Sequence, residues 1–298
     1  MVRSTNMNTT IASPPKPRVT AVVVTFNRLR ELKVCLNLLA RQTYPPARVT
    51  VVDNQSTDGT AAWLETQPGL EIIRPTENMG SAGGFHDGLQ AFLGGNSDYA
   101  WLLDDDCMPD PRALEELMTH ARPDLVLNSL VVSSSDDSRL CFAGKRKGAF
   151  GKAESLPAAD AVAQSERGLW PVVNPYNGML ISRPAIELVG LPVPSLFIWG
   201  DEVDYLLRVK RQLPYSTVVH SIMRHPAPSA NLDSIPAWKY RYAIRNQAYI
   251  SRRHSRFGVL AVLKNLLRFL RKRPGSISVR EVFRLTADGY FGRLGKLA

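Results

Sequence analysis

The chain has 298 residues and 44% of them are hydrophobic, which is enough for the core of one large domain and excludes an intrinsically disordered protein. Its three cysteines, Cys35, Cys107 and Cys141, lack the paired spacing of a disulfide framework or a zinc site, which favours a reducing cytoplasm. The net charge of +10 comes from the C-terminal region, because residues 238–298 hold 15 basic and two acidic side chains.

Residues 1–17 are polar and contain no apolar segment, which predicts a flexible arm instead of a signal peptide or an anchor. Over the first 130 residues short apolar runs alternate with helical patterns, which is typical of a parallel α/β sheet. Polar residues follow the apolar runs, and open α/β sheets bind ligands at the carboxyl ends of their strands. Strands are predicted at residues 19–25, 49–53, 70–73 and 99–103, and helices at residues 29–41 and 81–93.

The pattern is less regular further along the chain. Residues 133–167 are rich in Ser, Gly and Lys, and no element is assigned there. Residues 174–182 predict a turn followed by a strand, and residues 197–205 lead into a helix. The sequence contains no internal repeat and no apolar run long enough to span a bilayer.

The most informative stretch is Asp104, Asp105 and Asp106, which directly follow the strand predicted at residues 99–103. Adjacent carboxylates repel one another unless a cation compensates them, and hard oxygen ligands suit Mg²⁺ or Mn²⁺. A divalent ion held by one or two carboxylates keeps open positions that diphosphate oxygens commonly fill. The alternative is an acidic loop or a helix cap, because residues 109–111 continue as Pro, Asp and Pro.

Residues 78–85 contain three glycines, Gly80, Gly83 and Gly84, where a helix is predicted to begin. Glycine lets the backbone approach a ligand closely, and the free N–H groups of a helix start attract an anion such as phosphate. The stretch matches neither the dinucleotide-binding fingerprint nor the P-loop, so a flexible turn at the helix start is the alternative.

A second acidic cluster, Asp201, Glu202 and Asp204, follows an apolar segment and offers a candidate general base. The alternative is an ordinary helix start, since the helix macrodipole favours acids in a first turn. His225 is a candidate third metal ligand or phosphate partner, although a lone histidine is more often part of the structure.

These motifs occur together in the order seen in family 2 glycosyltransferases, and the chain resembles that family over about residues 19–250. Together with the triple Asp, the late Arg224, His225 and Pro226 make it most similar to bacterial galactofuranosyltransferases, with rhamnosyltransferases as the nearest relatives. The resemblance rests on residues 25–28, 51–59, 78–85, 104–106, 177–178 and 199–204.

The resemblance implies a GT-A fold, which is a Rossmann-like, mostly parallel sheet flanked by helices, and an inverting, metal-dependent transfer from a nucleotide sugar. The donor would be bound by Thr25, Asn27, Arg28, Asp53, Asn78, Gly80, Gly83, Gly84 and Asp105. The metal, Mn²⁺ or Mg²⁺, would be held by Asp104, Asp106 and His225, and the acceptor would be bound by Asn177, Trp199 and Asp204.

A base must take the proton of the acceptor hydroxyl, which attacks the face opposite the departing nucleoside diphosphate without a covalent sugar intermediate. The resemblance assigns this role to Glu202, which aligns with the usual Asp of the family's acidic pair. Because Glu stands there in place of Asp, Asp201 is the second candidate.

The basic region contains a stretch with helical periodicity at residues 257–273. One stripe of it is basic, with Lys264, Arg268, Arg271 and Lys272. The stripe beside it is apolar, with Leu260, Leu263, Leu267 and Leu270. Such a basic amphipathic helix is typical of one that lies in an anionic membrane interface. The alternative is a helix that packs on the core and exposes a solvated cationic face.

We therefore predict a flexible arm at residues 1–17, a GT-A catalytic domain at residues 18–235 with a basic C-terminal helical appendage, and membrane association through that appendage at residues 236–298. The leading hypothesis is a peripheral enzyme on the cytoplasmic face of the plasma membrane. It would use a UDP-sugar, UDP-galactofuranose by resemblance, to extend a lipid-linked glycan. The oligomeric state is left open.

Three alternatives compete with this hypothesis. Two are enzymes, namely a rhamnosyltransferase that uses dTDP-rhamnose and a nucleotidyltransferase that releases pyrophosphate from a nucleoside triphosphate. The third is a nucleic-acid-binding protein that grips phosphates through the basic tail. It accounts for the charge but leaves both acidic clusters without a role, so no nucleic-acid partner is expected.

Overall fold

The computed structural model describes residues 15–142, 145–147, 153–173, 176–227 and 236–297, with the backbone alone at residues 145–147 and 153–155. Residues 1–14 of the predicted flexible arm lie outside the described residues. So do parts of the unassigned stretch at residues 133–167 and two residues of the turn predicted within residues 174–182.

The strands and helices predicted in the first 104 residues are present, and their ends differ from the predicted ones by at most one residue. The strands of the described part are β1 (Val19–Thr25), β2 (Arg48–Asp53), β3 (Leu70–Ile73), β4 (Tyr99–Asp104), β5 (Met108–Pro109), β6 (Val126–Ser133), β7 (Asp136–Leu140), β8 (Lys145–Lys147), β9 (Ala153–Ser155), β10 (Leu169–Trp170), β11 (Met179–Ser182) and β12 (Tyr215–His225).

The described helices are interspersed with these strands up to β12, and the described elements after β12 are all helices. They are α1 (Leu29–Ala40), α2 (Thr60–Glu65), α3 (Gly80–Gly94), α4 (Ala113–His120), α5 (Ala158–Ala163), α6 (Arg183–Val189), α7 (Asp201–Gln212), α8 (Ala237–His254), α9 (Gly258–Lys272) and α10 (Val279–Tyr290). A 3₁₀ turn at Pro194–Leu196 precedes α7.

The main sheet is mostly parallel, as predicted, and its strands follow the order β10-β12-β6-β11-β4-β1-β2-β3. β1 pairs in parallel with β2 and β4, and β6 pairs in parallel with β12. β11 runs antiparallel to β4 and β6, between which it lies. β2 also pairs in parallel with β3, so six strands, β1, β2, β3, β4, β6 and β12, end at the same edge of the sheet.

Helices cover both faces of this sheet. Successive side chains of a strand point to opposite faces, so each strand packs on helices from both sides. In β1, Val19, Ala21 and Val23 pack with residues of α1 and α4, whereas Val22 and Val24 pack with residues of α3, α6 and α7. Strands that are buried on both faces are apolar at almost every position, which explains the continuous apolar run of β1. The strand ends thus emerge from a packed core at fixed positions.

The C-terminal helices α8, α9 and α10 enclose a small core of their own. It contains Tyr240 and Ile244 from α8, Phe269 from α9, and Val282 and Leu285 from α10. Among the described residues, no helix is both long and apolar enough to cross a membrane. The predicted basic helical region is thus a packed three-helix unit.

Two side chains tie α8 to the segment that precedes α7. The Asn246 amide Nδ2 donates hydrogen bonds of 2.9 Å to the carbonyl oxygens of Leu196, Ile198 and Trp199. The buried Arg245 guanidinium donates to the Leu196 carbonyl as well, at 3.1 Å. The C-terminal helices are therefore joined to the loop that leads into the second acidic cluster.

Candidate active site

The carboxyl edge of the sheet brings together polar residues that lie far apart in the sequence. The parallel register pairs Thr25 with Asp53 and places Asp104 beside the end of β1. His225 ends β12 at the same edge. Asn177 reaches it from the opposite direction, just before the antiparallel β11. The convergence predicted from the strand ends is thus present, and it extends to β11 and β12.

A cavity of about 710 Å³ opens at this edge. Three parts of the chain form its walls: the strand ends with the acidic triplet, the loop before α7 together with Glu202, and residues of the C-terminal helices. The last of these walls was not anticipated from the sequence. Both acidic clusters therefore contribute to one enclosed space.

The acidic triplet is compensated by basic side chains from two other elements. His225 Nε2 lies 2.9 Å from an oxygen of Asp106. The Arg28 guanidinium forms ion pairs with Asp106 and, at 3.4 Å, with Asp105. The Thr25 hydroxyl donates a 2.8 Å hydrogen bond to Asp105. Arg28 and His225 thus supply the positive charge that adjacent carboxylates require.

Burial and neighbouring charges shift the pKa values of the three carboxylates in different directions. Burial raises the pKa of Asp104 to about 7, and the charge of Asp106 adds to the effect. Burial also raises the pKa of Asp105 to about 6, against the opposing charge of Arg28. Burial alone would also raise the pKa of Asp106, but His225 and Arg28 outweigh this effect and lower the pKa of Asp106 to about 2. Because ionising Asp104 and Asp105 is unfavourable in these surroundings, the cluster favours the approach of a cation.

Oxygen and nitrogen atoms of Asp104, Asp106 and His225 lie within 4.8 Å of one another. Burial alone would lower the pKa of His225, but its hydrogen bonds to Asp106 and Cys141 and the charge of Asp106 raise it to about 10. Two carboxylates and an imidazole at this separation are able to hold one divalent ion. These are the three residues predicted as metal ligands.

Asn27 and Asp53 shape the loop that follows β2. The buried Asp53 accepts a 2.9 Å hydrogen bond from the Ser56 amide, and Arg74 Nε lies 3.3 Å from its other oxygen. Asn27 Oδ1 accepts a 2.6 Å hydrogen bond from the Thr57 amide. Neither side chain lines the cavity. In this structure these two of the predicted donor-binding residues hold the loop in place.

Gly83 and Gly84 serve a purpose other than the predicted close approach to a ligand. A Cβ on Gly83 would overlap the side chain of Met79, and a Cβ on Gly84 would lie 2.5 Å from Val24 Cγ1. Both glycines are buried on the inner side of α3. They let α3 pack tightly on its own first turn and on β1, and they do not face the cavity.

Gly80 has a positive φ of 68°, and a Cβ there would overlap the carbonyl oxygen of Phe197. Its amide donates a 2.8 Å hydrogen bond to Asn78 Oδ1, and the Ala82 amide donates a 3.1 Å bond to the Phe197 carbonyl. These two N–H groups are therefore engaged within the protein, unlike the free groups predicted for anion binding. Asn78, Gly80 and Ser81 nevertheless line the cavity.

The first turn of α7 carries Asp201 and Glu202 in different surroundings. Asp201 is buried, and its Oδ2 accepts a 3.0 Å hydrogen bond from the Ser81 hydroxyl. Burial and the neighbouring charge of Glu202 raise the pKa of Asp201 well above its usual range. Glu202 lines the cavity and accepts a 2.9 Å hydrogen bond from the Gly200 amide. Of these two carboxylates, Glu202 is therefore the one that a ligand in the cavity meets.

Comparison with known proteins agrees with this geometry. The profile described as Glycosyl transferase family 2 matches residues 20–147. The galactofuranosyltransferase GlfT1 of Mycobacterium tuberculosis is 32% identical over 220 residues, which cover 71% of each chain. The protein of the same name from Mycolicibacterium smegmatis is 30% identical over 213 residues, which cover 70% of each chain. The chain belongs to glycosyltransferase family 2.

A solved structure supports the fold of this glycosyltransferase. The mannosyltransferase PcManGT from Pyrobaculum calidifontis, in complex with GDP-Man and Mn²⁺, aligns with a TM-score of 0.53 over 94% of this chain and 81% of its own. The two sequences are 18% identical, so the likeness concerns the fold alone. The predicted GT-A fold and the predicted family are therefore confirmed.

Two residues predicted to bind the acceptor of the glycosyltransferase, Asn177 and Trp199, line the cavity. Trp199 adopts a positive φ of 61° in the loop whose carbonyl groups Asn246 holds. Asn177 is buried beside the acidic triplet, where its Oδ1 lies 3.5 Å from the Cys107 thiol. The loop before α7 and the turn before β11 therefore present both side chains to the same space.

The wall from the C-terminal helices of the glycosyltransferase adds Trp238, Lys239, Arg241 and Tyr242 from the first turns of α8. Burial lowers the pKa of Lys239, and the charge of Arg28 acts in the same direction. Lys239 therefore faces the acidic triplet and its guanidinium partner. The strongly basic composition of residues 238–298 was the available signal for this wall, but it did not show which residues face inward.

Asp204, the third residue predicted to bind the acceptor, does not line the cavity. Its two oxygens accept hydrogen bonds from Arg208 Nε at 3.0 Å and from His254 Nε2 at 2.7 Å. Asp204 and His254 are almost completely buried. The cluster joins α7 to the end of α8, which is a structural role and speaks against contact with an acceptor.

Asp204→Asn is therefore expected to lower the free energy of unfolding by about 3 kcal/mol, because it removes the charge that Arg208 and His254 share in a buried site. The apparent KM for the acceptor should stay unchanged. Urea denaturation and steady-state kinetics measure the two quantities. Asp124→Asn, which alters an exposed ion pair, is the matched control and should change neither. A raised acceptor KM with normal stability would instead place Asp204 in the acceptor site.

Proposed function

We propose that the protein is an inverting, metal-dependent galactofuranosyltransferase that moves galactofuranose from UDP-galactofuranose onto a lipid-linked glycan. The observation that supports it most is the meeting of a metal-ligand set and a carboxylate base in one cavity, which Asp104, Asp106, His225 and Glu202 all line. The names of the two mycobacterial relatives support the choice of sugar.

The ligand set fits a hard divalent ion, since it offers two carboxylates and one imidazole. Asp104, Asp106 and His225 would hold Mn²⁺ or Mg²⁺, and the Mn²⁺ in the P. calidifontis structure supports the first of these. When bound, such an ion acts as a Lewis acid for the charge that develops on a departing diphosphate.

The side chains around the triplet suit an anionic donor. Arg28 and Lys239 line the cavity from opposite ends of the sequence, and both carry positive charge beside the acids. A diphosphate in the cavity would be attracted to both groups. Thr25 holds Asp105 in place through its hydroxyl, so that Asp105 is positioned to accept a hydrogen bond from a donor hydroxyl. Asn54, which holds Gly80 through a 2.9 Å hydrogen bond, completes this wall.

Glu202 would act as the general base. As the acceptor oxygen bonds to the anomeric carbon, the bond from that carbon to the diphosphate breaks on the opposite face. The acceptor proton passes to Glu202, and the configuration inverts in this single displacement. Burial and Glu202 raise the pKa of Asp201 and so favour its neutral form, in which it supports Glu202 instead of competing with it. The Gly200 amide orients the Glu202 carboxylate.

Donor choice tests the proposal directly. With Mn²⁺ present, donor binding and hydrolysis are expected to be strongest for UDP-galactofuranose among UDP-galactofuranose, UDP-galactopyranose, UDP-glucose and dTDP-rhamnose. Removal of the metal with EDTA should abolish the response, and added Mn²⁺ should restore it. Calorimetry and nucleoside diphosphate release measure both effects. A preference for dTDP-rhamnose would support the rhamnosyltransferase alternative, and pyrophosphate release from a nucleoside triphosphate would support the nucleotidyltransferase.

We also propose that the acceptor carries a lipid and that the enzyme works at the cytoplasmic face of the plasma membrane. The basic C-terminal helices support this choice, because an anionic bilayer would attract them and the first turns of α8 line the cavity. Membership of an enzyme family disfavours the non-catalytic nucleic-acid-binding alternative. Both acidic clusters have a role in the reaction and none in binding a polyanion.

A further inference from the structure

α9 has two apolar faces, and the protein itself uses one of them. Val262 and Phe269 are each 6% exposed, and Phe269 belongs to the small core that α9 shares with α8 and α10. Leu260, Leu263 and Leu267 are 65%, 49% and 55% exposed. The predicted alternative of a core-packing helix therefore holds for one face, while most of the predicted leucine stripe remains uncovered.

The exposed stripe continues beyond these leucines. Phe257 and Val259, at the start of α9, are also more than half exposed. Leu270, the fourth leucine of the predicted stripe, instead packs partly against the small C-terminal core. We call the exposed set the α9 apolar surface; it consists of Phe257, Val259, Leu260, Leu263 and Leu267. Exposed apolar residues are normally scattered singly, so a set of five within 11 positions indicates a binding surface.

Basic side chains border the α9 apolar surface. Lys264, Arg268 and Arg271 are exposed along one side of it, and Arg256 is exposed at its start. α9 contains no acidic residue, so nothing within the helix offsets this charge. Long basic side chains can keep their charged groups in water while their stems cover apolar surface. Apolar side chains beside cations complement the acyl and headgroup layers of an anionic bilayer.

We propose that the α9 apolar surface docks the protein onto an anionic lipid bilayer, with α9 lying in the plane of the interface and Lys264, Arg268 and Arg271 contacting lipid headgroups. This inference rests on the proposed function, because the enzyme must reach a lipid-linked acceptor. It adds the surface that docks and the partner that this surface binds, and the transfer reaction itself does not require docking.

The position of α9 relative to the cavity fits this role. The Tyr240 hydroxyl in the first turn of α8 donates a 3.1 Å hydrogen bond to the carbonyl oxygen of Lys272, the last residue of α9. Trp238, two residues before Tyr240 in the same turn of α8, lines the cavity and is 46% exposed. Docking through α9 would therefore bring the bilayer surface next to the cavity wall where a lipid-linked acceptor enters.

Sedimentation with vesicles tests the proposal on the full chain. Vesicles of phosphatidylglycerol and phosphatidylcholine in equal parts should bind the protein, and vesicles of phosphatidylcholine alone should bind it weakly. Leu263→Ser with Leu267→Ser is expected to weaken binding by at least about tenfold, because two apolar side chains no longer enter the interface. Lys264→Gln with Arg268→Gln should weaken it by about tenfold or more at low salt and by less at high salt.

Matched controls separate docking from general effects. Leu188→Ser changes a leucine of α6 that is 56% exposed, and Arg30→Gln with Arg41→Gln removes two exposed cations, one in α1 and one directly after it. Both controls should bind vesicles like the unaltered protein. Circular dichroism should show that every variant is folded, as expected for exposed positions.

Three results would overturn the inference. The first is vesicle binding that the leucine and cation variants leave unchanged. The second is a dimer in sedimentation velocity that the leucine variant dissociates, since a second copy would then cover the surface. The third is equally strong binding to duplex DNA at about 150 mM salt. Transfer to a short-chain, water-soluble acceptor should be normal in all variants. If the unaltered protein showed no such transfer, that result would count against the proposed function and not against docking.

Discussion

Asp106→Ala is expected to abolish metal-dependent donor binding and to lower the transfer rate by about 10³-fold or more, since a catalytic metal supplies several kcal/mol of charge stabilisation. Asp106 contributes one of the three clustered ligand atoms and is the carboxylate that both His225 and Arg28 contact. Its loss would therefore remove a proposed metal ligand and leave two cations without their shared partner.

Direct Mn²⁺ binding, followed by calorimetry and by electron paramagnetic resonance, measures this effect independently of turnover. Asp106→Asn keeps the shape of the side chain and removes its charge, so it should lose Mn²⁺ binding with a smaller effect on stability. Asp124→Ala, at an exposed acid outside the cavity, should behave like the unaltered protein. Unchanged Mn²⁺ affinity in both Asp106 variants would exclude Asp106 from the metal site.

Glu202→Gln is expected to keep donor and Mn²⁺ affinity and to lower kcat by a factor of about 10² or more, because the amide cannot accept the acceptor proton. Asp201→Asn provides the matched comparison. Burial and Glu202 raise the pKa of Asp201 and so favour its neutral form, which the amide resembles. That variant should keep most of its activity, including its hydrogen bond from Ser81.

The two variants decide between the candidate bases. Single-turnover kinetics with a saturating acceptor isolates the chemical step from product release. Near-normal turnover in Glu202→Gln together with a large loss in Asp201→Asn would move the base to Asp201. Equal losses in both variants would indicate that the two carboxyl groups act as one proton-sharing pair.

The sequence was sufficient for the fold class and the family because both depend on local patterns in a fixed order. The apolar run at Val19–Thr25 and its successors predict strands buried on both faces, and the elements alternate as a parallel sheet requires. The first acidic triplet was recognised because it directly follows a strand. Since parallel strands end at one edge, its position next to Thr25 follows from the same pattern.

For the glycines of residues 78–85, the sequence predicted the correct location but the wrong role. Residues 78–85 do begin a helix beside the cavity, as predicted. Whether a glycine faces a ligand or a neighbouring strand depends on the rotation of α3 against the sheet. Gly84 faces Val24, and the first-turn amide of Gly80 is bonded to Asn78. The spacing of the glycines alone carries no information about that rotation.

By itself, the sequence determined a mostly parallel α/β enzyme of glycosyltransferase family 2 with two acidic clusters and a basic amphipathic helix. Only the tertiary structure decided that Glu202 faces the cavity while Asp204 is buried against His254, that α8 supplies a wall of the site, and that Leu263 and Leu267 stay exposed. Motifs and periodicity record which residues lie near one another along the chain. Contacts between helices more than 40 residues apart depend on packing geometry, which no local pattern specifies.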